Sequence, residues 1–138
     1  MEYKIVTKFL KDISFEVPNA ETLLLFENDI HKYNLKIDIK SKVIKNKLIQ
    51  VDTILKFLDE TASERKAQVE VTVAAVANID GDLTDKEKLE RTLLVSIPTE
   101  IYPYLFEVFS FLIEKSGLPK LKVEKTVDFE KLYQQRNK

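Results

Sequence analysis

The side chains that could do chemistry in this sequence are few and badly placed for it. The single histidine, His31, stands in a polar stretch with no second imidazole near it, and reads as a surface residue rather than a ligand or a base. There is no cysteine, which removes disulfides, thiol nucleophiles and thiolate metal sites together. No His-Glu-x-x-His pair and no Ser-His-Asp set can be assembled. Asp80 and Asp82 flank Gly81, but the other ligands of a calcium loop are missing, so the trio reads as a turn. Gly81 and Gly117 are the only glycines, too few for a phosphate-cradling loop. Carboxylate pairs occur, as in any acid-rich chain, and nothing marks one as buried. The expectation is no enzyme activity and no cofactor.

Lysines at 36, 40, 42, 45 and 47 could suggest a nucleic-acid patch. No aromatic platform interleaves them. They read instead as a solvated strand and turn, where lysine also discourages edge pairing. A net charge of −1 gives no global field for nucleic acid or an anionic membrane. No apolar run approaches the ~20 residues a bilayer requires, and MEYKIVTKFL lacks the layout of a signal segment. A cytoplasmic protein with no direct membrane insertion is expected. With 138 residues, 44% of them hydrophobic, the chain fits one domain over 1–138.

Four segments alternate with the period of a strand. Residues 3–17 set Tyr3, Ile5, Phe9, Ile13, Phe15 and Val17 against Lys4, Lys8, Asp12, Ser14 and Glu16, with Val6 and Leu10 on the second, partly apolar face. Pro18-Asn19 ends that strand, because proline offers no N–H to a ladder. Residues 33–40, 48–59 and 66–79 continue the pattern; Ile54, Leu58 and Val76 again interrupt the polar face. Short connections favour an antiparallel meander for strands two to four. The longer Asn19–Lys32 connection lets strand one cross over. It contains the apolar knot Leu23–Phe26, which reads either as a loop or short helical turn pinned on the core, or as a mobile greasy segment beside a groove.

Helical signals come after the strands. Thr84 and Glu87 have capping-box spacing, and Pro98 should kink or end the first helix. A second runs from Ile101 to Ser116; Gly117 suits the left-handed cap, and Pro119 blocks resumption. Leu121 and Val123 lead to Asp128, a plausible cap for a tail helix carrying Phe129, Leu132 and Tyr133. The Ile101–Ser116 segment has two apolar stripes. Ile101, Leu105, Val108 and Leu112 suffice for one sheet. Tyr102, Phe106, Phe109 and Ile113 form a second, and leaving it wet would forfeit roughly 6–12 kcal/mol at ~1.5–3 kcal/mol per side chain. These four are therefore candidates for an interface between copies, unless the chain's own tail helix and connection cover them.

Three ordered matches give the chain a family resemblance. They are KDISFE with Pro18-Asn19-Ala20; Ile101-Tyr102-Pro103-Tyr104 followed by Gly117-Leu118-Pro119-Lys120-Leu121; and Val127-Asp128-Phe129 with Leu132 and Gln134-Gln135. In this the chain resembles the SecB family of export chaperones. The resemblance implies an α+β fold with four antiparallel strands and helices on one face, assembled as a homotetramer, a dimer of dimers. It implies an ATP-independent holdase that binds unfolded precursor proteins and passes them to the motor SecA. SecA docks on acidic sheet residues in that family, which maps to Asp12, Glu16 and Glu70; Gln68 stands where an apolar neighbour is expected. The client groove would be lined by Leu23, Leu24, Leu25 and Phe26, by inward strand residues, and by Phe129, Leu132 and Tyr133 of the tail helix. The near-neutral charge and the ending QQRNK depart from the acidic family pattern, and bear on motor docking rather than on client binding. Some SecB-like proteins instead guard the antitoxin of a toxin–antitoxin pair, which makes a single dedicated partner the alternative. A small-ligand or lipid-binding helix-on-sheet domain is a third reading, predicting an enclosed cavity and a monomer.

Overall fold

The computed structural model describes residues 1–61, 66–118 and 124–136. Strands β1 (Glu2–Glu16), β2 (Asn34–Lys45), β3 (Leu48–Leu58) and β4 (Gln68–Asp80) form one antiparallel sheet in the order β1-β4-β3-β2. The meander of strands two to four and the crossover of strand one are both as the connection lengths predict. Asn46, at φ 53°, makes the tight β2–β3 turn, a position that asparagine tolerates.

Odd-numbered residues of β3 and β4 line the helix side. Ile49, Val51, Leu55, Val69, Val71, Val73, Ala75, Ala77 and Ile79 are all buried there. Two register shifts in β1 break the simple alternation expected from the sequence. Ile5 opposes Ala77 and Ile13 opposes Val71, but between the shifts it is Lys8 and Leu10 that oppose Ala75 and Val73. Phe9 turns to the open face opposite Ala74, and Leu10 turns to the helix side, the reverse of their expected placement. Each bulge adds one residue and flips the side chains beyond it; two of them restore the frame by Ile13.

The Asn19–Lys32 connection is helix α1 (Ala20–Asp29) followed by a 3₁₀ turn at Ile30–Lys32. Asn19 Oδ1 caps α1 by accepting from Thr22 N–H at 2.8 Å. Helix α2 (Lys86–Arg91), a π-helical turn (Thr92–Ser96) and α3 (Ile97–Lys115) run on without a break. The expected capping box at Thr84 does not form. Asp82 Oδ1 accepts from both the N–H and the hydroxyl of Thr84, and Asp85 caps α2 instead. Nor does Pro98 end the helix. The π turn before it widens the backbone where the missing N–H and the ring would otherwise clash. Gly117 adopts φ 84°, as the left-handed cap requires; Pro119, Lys120, Leu121 and Val123 lie outside the described residues. Helix α4 (Phe129–Arg136) is capped by Asp128, whose Oδ1 accepts from Lys131 N–H at 3.0 Å.

The core lies between the helix side of β3–β4 and α3. Phe26, Tyr33, Phe57 and Phe109 form its aromatic spine, with centroids 4.8 Å apart for Phe26–Tyr33, 5.2 Å for Tyr33–Phe57 and 6.4 Å for Phe57–Phe109. Tyr102 packs edge-on against Phe129 at 5.9 Å.

Candidate functional site

Tyr102, Phe109 and Ile113 are buried within one subunit, and only Phe106 of the proposed interface stripe stays half-buried. This corrects the two-stripe argument. The tail helix supplies Phe129 against Tyr102, and Tyr102 Oη donates to the Glu124 carbonyl at 2.8 Å. Burial holds that phenol above its ordinary pKa. The apolar excess of α3 lies elsewhere, on Tyr104, Val108, Phe111 and Leu112, spaced as one helical face. Phe111 is 57% exposed. Lys8 reaches from β1 to within 5.5 Å of the Tyr104 ring.

The expected client residues divide in the same way. Phe26 and Phe129 are fully buried core residues, so neither is free to meet a guest. Leu23 packs partly against the core, while Leu24 at 80% and Leu25 at 53% face solvent. Leu132 is exposed, and Tyr133 is buried except along one edge. Leu132 and Tyr133 do form a groove, of about 380 Å³, together with Ile37 and Ile39 of β2 and Leu94 of the π turn. Asp38, Gln135 and Arg136 complete its polar rim. Beyond Ile37 toward α1, Leu35 continues the apolar face of β2 and is itself exposed.

Two polar clasps fix the walls. On the tail side, Arg91 pairs with Glu130 and stacks over Tyr133 at 5.2 Å, and Tyr133 Oη donates to Glu90 at 3.2 Å. The Glu130 carboxylate raises the Arg91 pKa, chiefly through its hydrogen bond. On the α1 side, Lys66 Nζ sits 3.2 Å from Asp59 and 3.5 Å from Asp29, tying the helix to the end of β3. Asp59 also accepts the hydroxyl and N–H of Thr61 at 2.7 and 2.9 Å. The Thr61 hydroxyl, then the other donors, hold the Asp59 carboxyl below its ordinary range; the Asp59 bond raises Lys66.

The open face of the sheet is divided by charge. Register places Asp12 opposite Thr72, Ser14 opposite Glu70 and Glu16 opposite Gln68, so the four docking candidates share one corner of β1 and β4. Glu70 is also 3.7 Å from Lys56. At the centre, Asp52 is nearly buried; it accepts from Lys11 at 2.5 Å and from Gln50 at 2.8 Å. The far side, β2, presents lysines.

Among the described residues no group of three or more histidine, cysteine or carboxylate side chains could hold a metal ion, and no helix is long and apolar enough to cross a membrane. Ile37 and Ile39 are among the inward strand residues expected beside a groove, whereas Leu94 does not stand out in the sequence. The signal that points to Leu94 is the missing N–H of Pro98 four residues on, which calls for a relieved helical turn there.

The family model described as preprotein translocase subunit SecB matches residues 1–138. A putative protein-export protein SecB of Pelagibacter ubique is 42% identical over 134 residues, 97% of this chain and 96% of that protein. A protein-export protein SecB of Bradyrhizobium diazoefficiens is 25% identical over 134 residues, 97% of this chain and 81% of its own. Among solved structures, a Mycobacterium tuberculosis SecB-like chaperone, in complex with a ChAD peptide from an antitoxin, is similar at TM-score 0.65. That likeness covers 91% of this chain and 88% of the other at 17% identity, and speaks for the fold.

Proposed function

The chain belongs to the SecB family, whose members are chaperones rather than enzymes, and from that premise we propose that it is an ATP-independent holdase for unfolded precursor proteins in export. One observation carries this reading. The subunit completes its own core and still leaves an open apolar trough along β2, walled by α4, with Leu24 and Leu25 of α1 exposed as well. Exposed apolar grooves take extended segments through side-chain burial and free strand edges. Such binding requires no nucleotide and favours clients that have not folded, because a folded client hides the same side chains. The trough is open to solvent along its length, which suits a chain segment better than an enclosed small ligand.

The finer parts of the reading have separate supports. Assembly as a dimer of dimers would cover the Tyr104–Leu112 stripe of α3, which one subunit leaves partly wet. The acidic corner at Asp12, Glu16 and Glu70, with Gln68, is the surface on which a SecA-type motor would dock. A cytoplasmic location belongs to the same reading, since a holdase for precursors must meet them before export. Suppression of aggregation of a chemically unfolded test protein checks the reading. Protection at one tetramer per client supports it, and unprotected aggregation at that ratio removes it.

A second reading has its own observation. The structurally similar mycobacterial chaperone holds a peptide from an antitoxin. If this chain likewise serves one dedicated partner, a pull-down returns one protein rather than many, and a lost motor site would be tolerated.

A further inference from the structure

The outer edge of β2 combines three features. It has no strand beside it among the described residues. Its helix-side residues Ile37 and Ile39 floor the trough, and Val43 beyond them is 62% exposed. Its open-face residues are Lys36, Asp38, Lys40 and Lys42, with Lys45 rejoining that face after a register shift. Lys36 is already paired with Glu60, and the Asp38 carboxylate accepts the neighbouring Ile39 N–H at 2.9 Å. Lys40 opposes Asp52, but Asp52 is taken by Lys11 and Gln50. Lys40, Lys42 and Lys45 are thus the cations left facing outward beside an apolar floor.

We propose that this edge selects, among extended client segments, those in which acidic residues alternate with apolar ones. The claim rests on the client-holding function and names its substrate class. A strand laid along β2 sends alternate side chains to opposite faces. Residues on one face would enter the trough over Ile37 and Ile39. Those on the other would stand beside the three lysines, with successive acids matching the two-residue spacing of Lys40 and Lys42. Acidic partners gain cross-strand ion pairs there, basic partners meet like charge, and serine-bearing partners fall between. The Asp38 self-cap blocks one edge donor, which discourages indiscriminate strand addition and leaves charge more weight in the choice.

The test uses the full chain and three fluorescein-labelled peptides with the same apolar residues at alternate positions and Asp, Ser or Lys between them. Anisotropy titrations at low ionic strength should rank Asp tighter than Ser tighter than Lys. Three cross-strand pairs predict roughly tenfold between Asp and Ser, collapsing in about 0.5 M salt as screening sets in. The triple variant K40E/K42E/K45E should invert the order. Equal affinities for the Asp and Ser peptides, or an order unmoved by the reversal, overturns the proposal while leaving the holdase reading standing. Failure to bind any of the three overturns both. A single-stranded oligonucleotide that competes more strongly than the Asp peptide overturns it in favour of a general polyanion patch. The salt series on the unaltered protein decides the matter even if the variant fails to fold.

Discussion

Phe109 and Phe111 stand two residues apart on α3 and should behave oppositely when changed. Phe109 is fully buried against Phe57, so Phe109→Ala removes core volume and should cost about 3–5 kcal/mol, enough to abolish or nearly abolish cooperative unfolding. Phe111 is 57% exposed in the subunit. Burying the remaining half of such a side chain is worth about 1–1.5 kcal/mol per copy, and a symmetric contact counts it twice. Phe111→Asp should therefore weaken assembly by about 2–3 kcal/mol, or about 30–150-fold in dissociation constant, before any added cost of a desolvated carboxylate. Light scattering across a concentration series reads the assembly, and far-UV circular dichroism during urea unfolding reads the fold. The expected result is a smaller particle with an intact cooperative transition for Phe111→Asp, and a lost or strongly weakened transition for Phe109→Ala. A Phe111→Asp protein that stays fully associated, or that unfolds as readily as Phe109→Ala, would refute the assignment of core and interface faces on this helix.

The polar contacts carry three further expected outcomes. The Lys66 clasp should be bounded by pH on both sides: Asp59 has a folded pKa below the ordinary 3.8, so its contribution is full above that value and lost as pH falls through the folded one. Lys66 has a folded pKa above 10.5, so its contribution is full below 10.5 and lost as pH rises through the folded value. The protection factors of α1 amides, with the intrinsic pH dependence of exchange divided out, should fall at both extremes but not between, and a flat profile argues against the clasp. Arg91→Ala removes an exposed ion pair and the contact over Tyr133; exchange in α4 should rise severalfold with α3 unaffected, and no change would show that α4 is held by Phe129 alone. Charge reversal at Asp12 plus Glu16 should lower affinity for a SecA-type motor in a binding assay while aggregation suppression persists; loss of both activities, or of neither, contradicts the docking corner.

The strands are legible in the sequence because the helix-side face imposes a period of two; β3 and β4 pair without a register shift, although Ile54 and Ala74 are buried on the open face as well. β1 hides its bulges, since a register shift changes which side a residue faces without changing the sequence pattern. Phe9 and Leu10 accordingly face the sides opposite to those that simple alternation assigns them. The helical stretch at 86–115 looks like two pieces because Pro98 carries a strong local signal, and the π turn that accommodates it has no sequence signature of its own. The candidate site is half visible. Leu132 and Tyr133 line one groove with β2, and Asp12, Glu16 and Glu70, the candidates for motor docking, share one corner of the sheet. Tyr102, Phe109 and Phe129 escape a correct assignment because an apolar helical face looks the same whether a tail helix or a second subunit covers it. Only the tertiary contact between Tyr102 and Phe129 distinguishes the two.

Native mass spectrometry with and without a chemically unfolded client tests assembly and holding together. The account predicts a particle of four subunits that shifts upward by the mass of one client, without nucleotide, and does not shift with the same client folded. A lone subunit that ignores the unfolded chain would contradict it.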